Sequence, residues 1–500
     1  MGEKVTAISG GRLLSKNVSW NLFGAIVPLP VAIITIPILI ENIGTARFGV
    51  LTIIWMVVGY FSLFDLGLGR ALTKLVASNI GKEKNRENPK LIWTAMSMMG
   101  GFGLVGFMVL VSLSNWLVTD ILNIPEGLKS ESLTTFYLLS VSIPIVITSI
   151  GLRGVLEAYQ CFKFVNLVRI PVGVFTFLGP TLVLPFSNSL VPIVIVLIIV
   201  RLMAWIAYIY LSFRIVPALK YDIKISWKVA RSLLGFGSWM TVTNIVGPLM
   251  VYMDRFIIGA TLSMAAVAFY ATPYEVVTKL WVISGALMSV LFPAFSAGLE
   301  QDHKGVIQLF NTAIKYLFIV FFPITIVIIT FSYEALAFWI DNDFANNSSI
   351  VLQLLVLGVF INAHAQVPFA MIQGAGRPDI TAKLHLIELP FYLLLLVWML
   401  DSYGIVGAAL TWVIRIIFDS IILFGITSKV LSRPSFFSSE TMLKLSVVFG
   451  VLAVGFFITD AYLKLLFTLV TVTVFFIISW YYLLTESEKN VIRATKIRIK

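Results

Sequence analysis

The stretch VLIIVRLMAWIAYIYLSF, residues 196–213, limits what this chain can fold into more than any other. It is an apolar run of membrane-spanning length with one arginine, Arg201, inside it. A second run, GIVGAALTWVIRIIFDSIILFG at 404–425, repeats the arrangement around Arg415. A helix needs about 20 apolar residues to cross a bilayer. A cation at bilayer centre costs roughly 2.5–3.5 kcal/mol on insertion scales, so it faces a cavity, a partner or a substrate. Two such arginines, at similar depths in two halves of one chain, predict an internal cavity that receives something anionic.

The rest of the chain fits this reading. Of 500 residues, 59% are hydrophobic and 12% charged, against about 25% charged in a soluble domain. Mean hydropathy is +0.97. The expected fold is all-α and polytopic, with about fourteen transmembrane helices. The candidate spans are 17–40, 48–69, 91–113, 132–157, 169–186, 190–213, 233–254, 265–295, 308–330, 350–372, 383–400, 405–428, 443–460 and 463–484. The first run is too long for a signal-peptide core and reads as a retained helix. Every loop is short, which leaves no room for an inserted soluble domain.

Lys and Arg accumulate in cytoplasmic loops. With the N-terminus inside, most of the 36 basic residues fall on the inner side, and the outer segments hold only Arg47, Lys129, Arg255 and Lys464. Both termini are therefore expected in the cytoplasm. The basic tail after Leu484 is placed against anionic membrane lipids. Basic residues confined to short loops exclude nucleic acid as a partner. The single cysteine, Cys161, excludes an intrachain disulfide.

An internal repeat is visible. Ser19-Trp20 recurs as Ser238-Trp239, Pro30 as Pro248, Pro171 as Pro390, and Arg201 as Arg415. The spacing predicts an N-lobe of six spans over 1–231, a C-lobe of six over 232–430, and two additional spans with the basic tail over 431–500. Two copies in one orientation are related by an axis along the membrane normal. Prolines crowd the spans, which favours a bent, cavity-forming bundle.

No soluble-enzyme signature is present. There is no Walker A sequence, no HExxH and no Cys/His metal spacing, so neither ATP hydrolysis nor a cofactor is expected. His303 lies in an inner loop; His364 and His385 lie in or at the ends of spans, satisfied or serving as proton relays. The intramembrane charges carry the functional signal. Arg201 has no acid one turn away, and Trp205 is placed to stack on it. Arg415 has Asp419 one turn on; Glu275 and Lys279 share that spacing, as do Arg153 and Glu157. Lys315 sits two turns into its span. Arg201, Arg415, Lys279, Lys315 and Arg153 are the expected substrate-binding cations. Glu275, Asp419 and Asp65 are structural charge pairs or sites for a coupling H⁺ or Na⁺. Arg70 and Lys74 stand at the cytoplasmic mouth. A cavity richer in cations than acids suits a phosphate or pyrophosphate headgroup.

The opening stretch, Trp20-Asn21, Pro37-Ile38-Leu39, Ile43-Gly44 and Phe48-Gly49, followed by Phe64-Asp65-Leu66-Gly67-Leu68-Gly69, resembles that of Wzx-type polysaccharide and O-antigen flippases. These belong to the multidrug/oligosaccharidyl-lipid/polysaccharide exporter superfamily. Asp254-Arg255-Phe256-Ile257-Ile258-Gly259, Ala268-Phe269-Tyr270 and Gln373-Gly374-Ala375-Gly376-Arg377 resemble the second half of that family. The resemblance implies two six-helix lobes around a central cavity, with two further helices. It implies alternating access that carries an undecaprenyl-pyrophosphate-linked oligosaccharide to the outer leaflet, alongside other polysaccharide-assembly proteins. Related drug exporters bind the coupling ion at an acid in the first span; this first span has none. Two other readings stand beside it. A multidrug exporter driven by H⁺ or Na⁺ would prefer acids in its cavity. A membrane polymerase or ligase would need longer outer loops.

Overall fold

The computed structural model describes residues 20–490 apart from 21–22, 25, 62–66, 83, 237, 433–435 and 437. Among them every regular element is a helix. In chain order these are α1 (Pro28–Phe61), α2 (Leu68–Gly81), α3 (Asn88–Trp116), α4 (Glu126–Ala158), α5 (Phe162–Val183), α6 (Leu190–Ile215), α7 (Trp227–Phe236) and α8 (Ser238–Thr261). There follow α9 (Met264–Thr278), α10 (Trp281–Gln301), α11 (His303–Thr330), α12 (Ser332–Trp339), α13 (Asn342–Gly374), α14 (Pro378–Val430), α15 (Ser439–Phe457) and α16 (Ala461–Ile478).

Eleven helices among the described residues are long and apolar enough to cross a membrane. Two of them bend. α14 has 53 residues, about 80 Å of straight helix, far more than a hydrocarbon core of about 30 Å. It turns at Gly404, whose φ of 57° lies where a side chain is disfavoured, and α1 turns likewise at Gly44, with φ of 79°. The expected spans 1 and 2 thus meet at Gly44, and spans 11 and 12 at Gly404. The run 265–295, expected as one span, is instead two helices, α9 and α10. Between them Lys279 N–H reaches the Val276 carbonyl and Leu280 N–H that of Val277, the tighter i to i+3 pattern.

Local chemistry explains the element ends. Ser189, Asp302, Asp341, Ser438 and Asp460 each cap a helix by accepting a backbone N–H from its first turn. Within spans, hydroxyls bond back to a carbonyl one turn earlier, as Thr35 does to Val31 (2.8 Å) and Ser420 to Ile416 (2.6 Å). A hydroxyl bonded that way is not left unpaired in an apolar span. The outer faces carry large apolar side chains, among them Leu104, Val105, Met108 and Leu394. Such a surface suits lipid and would aggregate in water.

The chain divides into two compact units, Met1–Thr272 with His385–Ile405, and Pro273–Leu384 with Val406–Lys500. In the first, Leu152, Leu156, Val165, Tyr208 and Leu211 form a cluster joining α4, α5 and α6. Asp254 and Arg255 are both buried; Tyr270 donates its hydroxyl to Asp254 Oδ2 at 2.6 Å. In the second unit Trp412 is the largest fully buried side chain, set against Gly358 of α13 and edge-on to Tyr274 at 5.7 Å.

Candidate functional site

In the first unit, α1, α4, α5 and α6 enclose a cavity of about 300 Å³. Its wall includes Arg153 from α4, Arg169 from α5 and Arg201 from α6, with Trp55 of α1 and Tyr208 of α6. Three apolar spans thus each contribute a guanidinium to one space. Counted along their own helices at about 1.5 Å per residue, Arg153 and Arg169 lie within about 10 Å of the turn joining α4 and α5. Arg201 lies about 21 Å from the end of α6, so it stands farther along its helix from that end than the other two do from theirs.

Each arginine is held differently. Arg201 donates Nη1 to the Leu197 carbonyl one turn back, at 3.2 Å. Arg153 Nε stands 3.3 Å from Glu157 Oε1, the expected pair. Arg169 remains exposed. The expected stacking of Trp205 on Arg201 does not occur: the indole N–H of Trp205 is spent on Thr148 Oγ1 at 2.9 Å, and no cation–π contact joins it to Arg201 among the described residues. The aromatic wall is Trp55, edge-on to Phe48 (5.9 Å) and Phe177 (5.2 Å). Its Nε1 is buried with no hydrogen-bond partner among the described residues, which leaves a donor for a ligand. Three guanidiniums and no carboxylate among the lining residues give the space a net positive formal charge. Their planar forks match phosphate oxygens two at a time.

Sequence reasoning found Arg201 and Arg153 but did not single out Arg169 as a site residue, because near a helix start it reads as a loop cation. It also missed Trp55 and Tyr208, which look like ordinary span aromatics. The remaining candidates lie elsewhere. Lys279 pairs with Glu275 at 3.0 Å at the end of α9. Lys315 of α11 bonds both oxygens of Glu488 (2.6 and 2.7 Å), and Tyr316 donates to the same carboxylate at 2.6 Å. Arg415 is half-buried and Asp419 buried on the stretch of α14 beyond Gly404. Arg70 and Lys74 are exposed on α2; Asp65 lies outside the described residues. Glu388, buried on α14, was not singled out in the sequence.

Known proteins resemble this chain in sequence and in fold. A family described as polysaccharide biosynthesis protein matches residues 43–346. A candidate O-antigen transporter of Shigella flexneri is 34% identical over 423 residues, 83% of this chain and 98% of that protein. A candidate low-salt glycan biosynthesis flippase of Haloferax volcanii is 27% identical over 187 residues, 37% of this chain and 39% of that protein. Among solved structures, an inward-facing multidrug-resistance MATE transporter aligns with a TM-score of 0.66 at 13% identity, covering 83% of this chain and 94% of that one. A superfamily transporter from Pyrococcus furiosus, described by the reverse polarity of its binding pocket, aligns with a TM-score of 0.62 at 13% identity, covering 86% and 99%. At such identities the likeness is one of fold.

Proposed function

The chain belongs to the polysaccharide-biosynthesis flippases of the multidrug/oligosaccharidyl-lipid/polysaccharide exporter superfamily, and we propose on that premise that it moves a lipid-linked oligosaccharide across the cytoplasmic membrane. The carrier is an undecaprenyl-pyrophosphate lipid bearing one repeat unit of a surface polysaccharide. The observation that carries this reading is the cavity lined by Arg153, Arg169 and Arg201. A pyrophosphate diester is doubly anionic, and crossing bare hydrocarbon with that charge is prohibitive. The guanidiniums replace its hydration shell, while the polyprenyl tail stays in lipid. The lobes over 1–231 and 232–430 are the bodies that alternate access, with both termini in the cytoplasm. Glu275, Asp419 and Asp65 are the acids we assign to charge pairing or to H⁺ or Na⁺ coupling; Glu275 stands 3.0 Å from Lys279.

A drug exporter of organic cations is disfavoured by the same three arginines, which would repel its substrate. The test is to delete the gene and extract membrane lipids. The expected result is a pyrophosphate lipid carrying a single repeat unit, accumulating as surface polysaccharide is lost and cleared by the intact gene. Normal polysaccharide with new sensitivity to cationic drugs would overturn the reading in favour of the exporter.

A further inference from the structure

The second unit holds a cavity of another character. α13 carries Asn362, Gln366 and Gln373 in a membrane-spanning helix. With Phe369 they fall at i, i+4, i+7 and i+11, on one helical face. Met288 and Phe292, one turn apart on α10, join Gln366, Phe369, Ala370 and Gln373 around a space of about 300 Å³. No charged residue lines it.

An amide facing hydrocarbon without a partner costs several kcal/mol, so Asn362 and Gln366, inside the expected span, call for hydrogen-bonding company; Gln373 stands at the end of the helix, one residue before Gly374. Gln366 Nε2 donates to Asn362 Oδ1 at 3.3 Å, which fixes its amide and uses one donor of the group. The Gln373 side chain is half-buried and makes no hydrogen bond to protein among the described residues. The chemistry that satisfies this wall is neutral, rich in hydroxyl or amide groups, and has apolar faces to lie on phenyl rings. An ion fits neither the missing charge nor the rings. A lipid tail leaves the amides unpaired.

We propose that this cavity is a neutral sugar subsite, which recognises a pyranose of the transported glycan through Gln366, Gln373 and Phe292. The proposal rests on the flippase reading above and adds to it a determinant of glycan selectivity. It is tested with full-length protein in lipid nanodiscs and two probes. One is the sugar-bearing lipid recovered from the deletion strain; the other is undecaprenyl pyrophosphate without sugar. Wild type is expected to bind the sugar-bearing lipid at least about tenfold more tightly, a difference near 1.4 kcal/mol. Gln366→Leu with Gln373→Leu, which keep bulk and remove the amides, should erase that preference and leave undecaprenyl pyrophosphate binding unchanged. Phe292→Leu, at a partly exposed position that folding tolerates, should erode it about threefold. Variants that keep the full preference, or that lose both lipids equally, overturn the subsite. A wild type that binds both lipids equally overturns it while leaving the flippase standing. A wild type that binds neither removes both.

Discussion

Arg201 meets its cavity from the middle of a span, where its charge has least help from water. Its one hydrogen bond among the described residues goes to the Leu197 carbonyl, so most of its fork is available to an anion. A charge-assisted hydrogen bond is worth about 1.5–3 kcal/mol, roughly ten- to a hundredfold in affinity. Arg201→Ala is therefore expected to weaken binding of undecaprenyl pyrophosphate by that range, with Arg201→Lys restoring part of it, since an ammonium keeps the charge but not the paired donors. Lipid binding in nanodiscs measures this; an alanine variant that binds as wild type contradicts the cationic cavity. Glu157→Gln should act oppositely and mildly, because an i,i+4 pair this accessible is worth under about 1 kcal/mol. It frees Arg153, so affinity should rise by no more than a few-fold. What was legible in sequence at this scale was depth: a lone cation in a long apolar run announces itself. Arg169 did not, because position near a helix end is ambiguous between loop and cavity. Nor did the fate of Lys315, whose partner Glu488 lies 173 residues away and is chosen by tertiary packing alone.

At the scale of elements, two devices set the helices. The bend in α14 depends on Gly404, around which a new Cβ would meet nothing within 4 Å, so the only penalty for a side chain is its φ of 57°. Gly404 has ψ of −142°, a positive-φ extended conformation almost confined to glycine, and such backbone costs another residue roughly 1–3 kcal/mol. Gly404→Ala is expected to lower the melting temperature of purified protein, while Gly425→Ala, also in open space but without that φ, should leave it level or raise it slightly. Equal melting of the two variants would contradict the strained bend. The second device holds α16. Lys464 binds Glu334 at one end (2.8 Å), Phe475 packs on Phe322 (4.6 Å) and Phe318 (5.4 Å) midway, and the segment after the helix brings Glu488 to Lys315. Burial alone would raise the Glu488 carboxyl, but hydrogen bonds from Lys315, Tyr316 and Thr485 hold it at about 2, below its ordinary 4.5. A carboxyl lowered on folding stabilises fully above its unfolded value and loses that contribution as pH falls through the folded one. The clamp should thus be intact at neutral pH and weaken between about pH 4.5 and 2. Glu488→Gln should melt earlier at pH 7 and lose this acid sensitivity in melting curves; a variant indistinguishable from wild type across that window removes the clamp. Apolar length made the spans readable, and the glycine bends follow from length too. The break at residues 279–280 did not show, because hydropathy continues across it.

For the whole molecule, the sequence carries topology better than packing. Fourteen apolar stretches and a basic excess in alternate loops lead to the expectation of an even count and of a cytoplasmic side for both ends. Which helices cluster depends on side-chain fit that no periodicity reports, as the excursion of residues 385–405 into the first compact unit illustrates. The topology makes a direct prediction. Cys161 is the single cysteine of the chain, so Cys161→Ser gives a background in which one introduced thiol reports one location. Asn347, exposed in the first turns of α13, belongs to an expected outer segment, and Ser487, exposed beyond α16, to the cytoplasmic tail. In intact cells a membrane-impermeant maleimide should label Asn347→Cys and spare Ser487→Cys until the membrane is opened. The two positions are separated by an odd number of expected spans, those at 350–372, 383–400, 405–428, 443–460 and 463–484, so they must lie on opposite faces. Labelling of both in intact cells would mean that one of those five does not cross. Because Gly404 divides the long helix into two of them, the first place to look would be whether its bend returns the chain through the bilayer or lays it along the surface.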